Sequence, residues 1–220
     1  PQPFGEDLLW EGNLDAKLNI ERDDDKVDDW RLKLDTTLSH GRWRHKFDGS
    51  QRHETKNGNK IKDEWEASYD QDYFLTDQWF LRGSVGTDRD QFDTVERQDA
   101  VGFGPGYSFW NNALGHFELI GQLDHYELQT EDDVYRFEAS SMQWDYKRLL
   151  WGTRFEFVST GEFAAPHVDS IDYVLDSEIG LRYRINEWAR VSLLYELNQV
   201  RGASQTSSDR DYTLGVGVGW

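Results

Sequence analysis

Residues 212–220 read Tyr212-Thr213-Leu214-Gly215-Val216-Gly217-Val218-Gly219-Trp220, and large side chains occupy every second position of this stretch. Thr213 and three glycines fill the positions between them. Because successive side chains of a β-strand point to opposite faces, the alternation predicts a strand whose large side chains all lie on one face. Such a face packs either against lipid or against the core of a soluble β-sandwich.

The chain ends on an aromatic residue directly behind this alternation. In this respect Tyr212, Leu214, Val216, Val218 and Trp220 resemble the C-terminal insertion signal of bacterial outer-membrane β-barrels, which the barrel-assembly machinery reads. The resemblance implies a protein of the bacterial outer membrane that contacts this machinery during insertion. A terminal strand of a soluble sandwich stays open as the alternative, and the rest of the chain decides between the two.

Eleven further segments show the same period of two. They begin near Trp10, Trp30, Trp43, Trp65, Trp79, Val101, Phe117, Tyr135, Trp151, Tyr173 and Val191. The first is longer than the ~5 to 6 residues usual in soluble sheets and close to the ~9 to 11 needed to cross a bilayer. The connections alternate between short turns and mostly longer polar loops, one of which is predicted from about Arg52 to Lys62. This pattern predicts one twelve-stranded antiparallel transmembrane β-barrel over residues 1–220, with short periplasmic turns, longer extracellular loops and a periplasmic lead at 1–7.

Composition supports this fold and excludes several functions. No apolar run approaches the ~18 residues of a membrane helix. The absence of cysteine excludes disulfides and thiolate metal sites. The net charge of −18 argues against nucleic acid as a partner, and we predict no cofactor. Aromatic residues gather beside the short turns, as in an interfacial girdle: Trp43, Trp79, Phe109, Trp110, Trp151, Trp188 and Trp220.

Two interior motifs carry a second resemblance. The segment Gly102-Phe103-Gly104-Pro105-Gly106-Tyr107, the short turn followed by Trp79, and the glycine-rich aromatic terminus resemble the salt-induced outer-membrane protein family. The resemblance is to a barrel family of unassigned function, and it implies an exported barrel and no catalytic residue. If the lumen is sealed, we expect such a barrel to support envelope integrity under osmotic or salt stress. Because Pro105 lacks a backbone donor, we also predict a bulge or kink there.

The face of each strand opposite the lipid face is rich in charge, and it predicts a polar lumen. The lumen-lining residues are Glu11, Asp15, Lys17, Arg31, Asp35, Arg44, Glu64, Glu66, Arg82, Glu118, Asp124, Arg136, Glu138, Arg154, Glu156, Asp176, Glu178, Arg182 and Glu196. Because acids outnumber bases, any water path should favour cations. Twelve strands lie between the ~8 of a packed barrel and the ~16 of an open channel, so a lumen sealed by salt bridges is the alternative.

A second function class is hydrolysis of lipid at the outer rim. His125 faces lipid in this register with Asp99 roughly opposite, but a triad also needs a serine within hydrogen-bond reach. The register places Phe137 beside His125 and Ser141 nearer the midplane, after a predicted β-bulge at Ser140-Ser141. His53 and His167 show no evident partner.

Polar residues on the outer face and acidic loops complete the pattern. The third and fourth strands carry His45, Gly49, Gln51, Asp63 and Gln71 on the lipid face, so this hairpin is expected to protrude or to contact a partner.

The acidic runs are Asp23-Asp24-Asp25, Asp28-Asp29 and Glu131-Asp132-Asp133. They could share divalent cations with lipopolysaccharide phosphates, but a calcium site needs ~6 to 8 oxygens in a fixed cage, and the first run lacks the spacing of an EF-hand loop. We therefore interpret them as solvated loop charge and predict no metal site.

Overall fold

The chain forms a closed barrel of antiparallel strands in the computed structural model, which describes residues 8–22, 26–91, 95–152, 154–186, 188–202 and 206–219. In these ranges the strands are β1 (Leu9–Arg22), β2 (Lys26–His40), β3 (Trp43–Lys56), β4 (Asn59–Phe74), β5 (Trp79–Asp90), β6 (Val95–Asn112), β7 (Gly115–Thr130), β8 (Val134–Leu150), β9 (Phe155–Pro166), β10 (Ile171–Arg184), β11 (Ala189–Gly202) and β12 (Thr206–Gly219). Each strand pairs with its neighbours in sequence, and β1 pairs with β12 to close the barrel. The predicted twelve-stranded antiparallel barrel is confirmed. No helix in the described ranges is long and apolar enough to cross a membrane.

The barrel has its apolar residues outside and many of its charges inside. Leu123 and Leu214 point outward and are each 68% exposed, whereas Asp72 and Glu118 point inward with at most 1% exposure. A soluble protein buries its large apolar side chains, so this inverted distribution is typical of a barrel that faces lipid.

The terminal strand follows the alternation that the sequence predicted. Tyr212, Leu214, Val216 and Val218 are exposed on the outer face, and Thr213 is buried on the inner one. Trp220 lies outside the described residues. The ladder between β1 and β12 joins Asn13–Ala16 to Val216–Gly219, at the end of the barrel that carries the short turns.

Aromatic side chains ring this same end. Trp43, Trp79, Trp151 and Trp188 are all exposed and lie in or beside the short connections. Trp151 belongs to the turn itself, so β9 begins at Phe155 and not at Trp151 as predicted. We call this the girdle end of the barrel; the sequence predicts that it faces the periplasm.

At the opposite end the strands extend farther than predicted. The predicted loop from Arg52 to Lys62 is wrong in extent, because β3 and β4 continue to a tight turn at Asn57-Gly58. Both turn residues have positive φ, 53° and 81°, as a two-residue hairpin turn requires. Asn-Gly is the usual sequence of such a turn, so the signal was present in the sequence. The polar character of the flanking residues concealed it.

The predicted β-bulge at Ser140-Ser141 is also wrong. The ladder between β7 and β8 runs without a register shift from Gly115–Arg148 to Gln129–Val134. Because Ala139 and Ser141 are buried inside, the alternation turns Phe137 inward, where it stacks on Tyr126 with ring centroids 5.3 Å apart. Arg136 and Glu138, predicted to line the lumen, instead lie on the outer face.

Pro105 interrupts its ladder with β7, but the predicted bulge does not occur there. The pairs between β6 and β7 lapse at Gly104 and Pro105 and resume in the same register at Gly106–Ile120. A register shift follows only between Ser108 and Trp110. A Cβ atom added to Gly104 would overlap the carbonyl oxygen of Gly121, which is backbone and cannot rotate away. The glycine therefore allows the two strands to approach closely.

We predict that Gly104→Ala lowers the free energy of unfolding by about 1 to 3 kcal/mol, because the added methyl group overpacks against backbone. Urea unfolding in detergent micelles measures this change. Gly121→Ala is the matched control, because a Cβ atom there meets no atom within 4 Å. Equal stability of the two variants would contradict a steric role for Gly104.

Candidate functional site in the barrel lumen

Four charged side chains form a buried network across the lumen near the girdle end. Arg44 on β3 donates to both carboxylate oxygens of Glu118 on β7, with distances of 2.7 Å from Nη1 to Oε1 and 2.8 Å from Nη2 to Oε2. Its Nε also donates to Asp72 at 2.8 Å, and Arg82 Nε donates to the other oxygen of Asp72 at 2.7 Å. Since β3 and β7 are four strands apart, the Arg44–Glu118 pair crosses the interior.

Aromatic rings support this network from below. The guanidinium carbon of Arg44 lies 4.9 Å from the ring centre of Phe74 and 5.0 Å from that of Phe80. Both distances are typical of cation–π contacts. Phe80 is completely buried and packs on Gly106, where any Cβ atom would overlap its ring. The inward-facing glycines of the segment 102–107 thus make room for the side chains that fill the interior.

A second pair crosses the lumen just above this network. Lys46 on β3 donates to Asp145 on β8 at 2.8 Å, and His116 Nε2 lies 2.8 Å from the other oxygen of Asp145. Two ion pairs therefore cross the interior at this level: Arg44–Glu118 joins β3 to β7, and Lys46–Asp145 joins β3 to β8.

Toward the outer half, cations on β2 and β3 pair with acids on β10 to β12. Arg31 Nη1 lies 2.6 Å from Glu196, Lys33 pairs with Glu178, and Arg52 Nη1 lies 3.7 Å from Asp211. On the inner face, these contacts link the strands on either side of the β1–β12 junction, where the barrel closes. The cations on this wall therefore already have acidic partners.

Three inward-facing acids differ from these paired groups. Asp48 on β3, Glu66 on β4 and Asp176 on β10 remain exposed although they lie inside the barrel. Within the described ranges no Lys or Arg lies within 4.0 Å of their carboxylates; Glu66 only accepts a hydrogen bond from Ser50 at 3.1 Å. Glu66 and Asp176 are near enough to repel each other from opposite walls. This part of the interior is reached by water and carries negative charge without a basic partner.

Another group of carboxylates lies close by. Ligand oxygens of Glu64, Glu66 and Asp88 lie within 4.8 Å of one another. They could approach a cation, but three carboxylates are fewer than the ~6 to 8 oxygens of a calcium cage. Of the acidic runs in the sequence, Asp23-Asp24-Asp25 lies outside the described residues, and Asp29 pairs with Arg52 at 3.4 Å.

Most predicted lumen residues point inward, with three exceptions. Arg136 pairs with Glu127 at 2.7 Å on the outer face, and Glu138 lies on that face too. Arg154 is exposed in the turn before β9 and not in the wall. The sequence missed Lys46 and Asp145 as a crossing pair, because partners so far apart in the chain share no local signal. The inward-facing predicted residues are Glu11, Asp15, Lys17, Arg31, Asp35, Arg44, Glu64, Glu66, Arg82, Glu118, Asp124, Glu156, Asp176, Glu178, Arg182 and Glu196.

The residues of the hydrolase alternative are not brought together. His125 lies opposite Glu138 in the ladder and not beside Phe137. Asp99 forms an ion pair with Arg97 at 2.6 Å. The prediction that His167 has no partner is wrong, because its Nε2 lies 3.0 Å from Ser140 Oγ. In the described ranges no carboxylate hydrogen-bonds to the His167 ring, so this pair lacks the third group of a triad.

Polar residues on the outer face of β3 and β4 contact one another. His45 Nδ1 lies 2.7 Å from the Tyr69 hydroxyl, and His53 stacks on Trp30 with ring centroids 5.8 Å apart. Asp63, near the outer hairpin turn, accepts hydrogen bonds from Lys60 at 2.7 Å and His53 at 3.4 Å, and these lower the pKa of its carboxyl. The prediction that His53 has no partner is therefore wrong, and His45, His53 and Asp63 find their partners within the hairpin itself.

The barrel fold is similar to those of two solved outer-membrane porins. The structure is similar to the NanC porin, with a TM-score of 0.57 and 14% identity over 94% of this chain and 98% of that chain. It is also similar to the KdgM porin, with a TM-score of 0.50 and 10% identity over 96% of this chain and 98% of that one. At these identities the likeness concerns the fold.

A family model described as "Protein of unknown function, DUF481" matches residues 16–220, and the chain belongs to this family. No curated protein matches the sequence. The resemblance to salt-induced outer-membrane proteins stays a prediction.

The buried network yields a prediction about stability. Glu118→Ala leaves the Arg44 guanidinium buried without its bidentate partner, and we expect a loss of roughly 3 to 5 kcal/mol in the free energy of unfolding. Urea unfolding in micelles measures it. Glu127→Ala, which breaks the exposed pair with Arg136, should change the same quantity by only about 0 to 1 kcal/mol. Similar losses in both variants would show that the lumen network is not structural.

Proposed function

We propose that this protein is a narrow, cation-selective pore of the bacterial outer membrane. The observation that carries the proposal is the exposure of Asp48, Glu66 and Asp176 inside the barrel without basic partners. Water reaches these carboxylates, whereas the basic groups Arg31, Lys33 and Arg44 are held by acids. A low-dielectric wall focuses the remaining negative field along the passage and raises the local concentration of cations.

The outer-membrane location rests on several features of the chain together. The outer face is apolar, aromatic residues ring the end with the short turns, and the fold is similar to two porins. On the same grounds we propose that the barrel-assembly machinery inserts the chain by its terminal strand. A contribution to envelope integrity under salt or osmotic stress rests on the sequence resemblance alone.

A sealed barrel is the second candidate. It is supported by the two pairs that cross the interior, Arg44–Glu118 and Lys46–Asp145. In that case the protein would serve the envelope as a structural element. Lipid hydrolysis is not favoured, because His125 and Asp99 are not brought together with a serine.

Single-channel recording in a planar bilayer under a potassium chloride gradient separates the pore from the sealed barrel. We expect discrete steps with a reversal potential that favours potassium. The triple variant Asp48→Asn, Glu66→Gln, Asp176→Asn should move the reversal potential toward zero and reduce the cation preference several-fold, because the charge without basic partners is removed.

Glu127→Gln is the control for this experiment, since it removes an acid from the outer face and should leave selectivity unchanged. A triple variant as selective as the wild type would contradict the role of these acids. A silent bilayer with inserted protein would contradict the pore and favour the sealed barrel.

A further inference from the structure

Two arginines lie side by side on the outer face of β5 and β6. Arg89 and Arg97 are direct partners in the ladder. Both point outward, because Arg82 on β5 is buried inside and Gly102 on β6 faces the inward side chain of Asp124. Like charges directly opposite each other destabilise a pair of strands, so this arrangement calls for a counter-charge.

The described residues supply only part of that counter-charge. Arg97 Nη2 lies 2.6 Å from Asp99 Oδ2. Arg89 has no ion pair within the described ranges, and its guanidinium carbon lies 5.4 Å from the ring centre of Trp65. Among the residues that the structure describes, one carboxylate thus serves two guanidinium groups in a chain whose net charge is −18. By contrast, the outward-facing Arg136 is matched by its own acid, Glu127.

The height of Arg89 and Arg97 on the barrel indicates which layer of the membrane they contact. Trp79, at the periplasmic girdle, and Arg89 lie on the same strand, ten positions apart. A rise of ~3.4 Å per residue and a tilt of ~40° place Arg89 about 26 Å above the girdle. The apolar band of an outer-membrane barrel is about 25 Å tall, so the arginines lie at its outer boundary. Val85 and Val101, below them, are exposed and apolar.

We propose that Arg89 and Arg97 bind a phosphate group of lipid A in the outer leaflet, with Trp65 packing beside the headgroup. The guanidinium fork fits phosphate oxygens in a bidentate way, and tryptophan favours the boundary between acyl chains and headgroups. The site rests on the proposed outer-membrane location but not on conduction. Because the arginines face outward, the lumen and its selectivity are independent of them.

Native mass spectrometry of the refolded protein in detergent, with diphosphorylated lipid A as the probe, tests this site. We expect the wild type and the control Arg136→Gln to retain bound lipid A. The double variant Arg89→Gln, Arg97→Gln should bind it about tenfold more weakly or worse, because charge-assisted hydrogen bonds to the phosphate are lost. Heat-dependent migration on SDS gels checks that each variant is folded.

A lysine pair keeps the test decisive if the glutamine variant fails to fold. Arg89→Lys, Arg97→Lys retains the charge but loses the bidentate fork, so its affinity for lipid A should fall between those of the wild type and the glutamine variant. Wild-type affinity in a folded lysine or glutamine variant would overturn the proposal.

Two further measurements distinguish a lipid A site from a free-anion site and from a role in conduction. Inorganic phosphate at the same molar concentration should not displace lipid A, and displacement would overturn the assignment to a lipid headgroup in favour of a free-anion site. The glutamine variant should conduct like the wild type in a planar bilayer. If every variant is silent while lipid A binding still depends on Arg89 and Arg97, the pore fails and the lipid site stands.

Discussion

Arg44 extends across the barrel from β3 and donates hydrogen bonds to both carboxylate oxygens of Glu118 on β7. The neighbouring side chains of the interior satisfy and enclose this ion pair. A charge moved out of water is tolerated only when partners satisfy its hydrogen bonds. Asp72 and Arg82 complete the network, and Phe80 closes it from below. The glycines of β6 follow from the same constraint, because Phe80 needs the space at Gly106.

The same network explains why the lumen keeps an acidic character. The chain has many more acids than bases, so once Arg31, Lys33 and Arg44 are paired, carboxylates are left over. They remain where water can hydrate them, at Asp48 and Asp176. In the proposed pore, structure and selectivity would therefore be linked, because the charges that hold the barrel in shape are paired with partners and the acids proposed to face the water path are not.

Much of the fold could be predicted from the sequence, because the period of two directly reports which face meets lipid. The terminal alternation from Tyr212 to Val218 was predicted, whereas Pro105 interrupts the ladder without the bulge that was expected. Errors arose at the ends of strands that extend beyond the bilayer, where a polar side chain no longer indicates the inner face of the barrel. Beyond the bilayer the outer face can be polar, so the pattern wrongly predicts Arg136 and Glu138 inside and a loop around Asn57-Gly58.

The candidate site was predictable only in part. Alternation indicates that Arg44 and Glu118 face inward, but which inward groups meet depends on barrel tilt and stagger, which no local pattern encodes. The pairing of Lys46 with Asp145 and the isolation of Asp176 from basic groups follow from that three-dimensional geometry. Outward-facing Arg89 and Arg97 became neighbours only once the register of β5 and β6 was known.

The most direct test of a water-filled, acidic passage uses the absence of native cysteine. Ser68 is exposed on the inner face of β4, between Glu66 and Asp70, and Ser68→Cys introduces a single thiol there. In proteoliposomes, water-soluble methanethiosulfonates are added to either side, one cationic and one anionic. We expect modification from both sides and a faster reaction with the cationic reagent. Modification from one side only, or an equal rate with the anionic reagent, would contradict a continuous acidic passage.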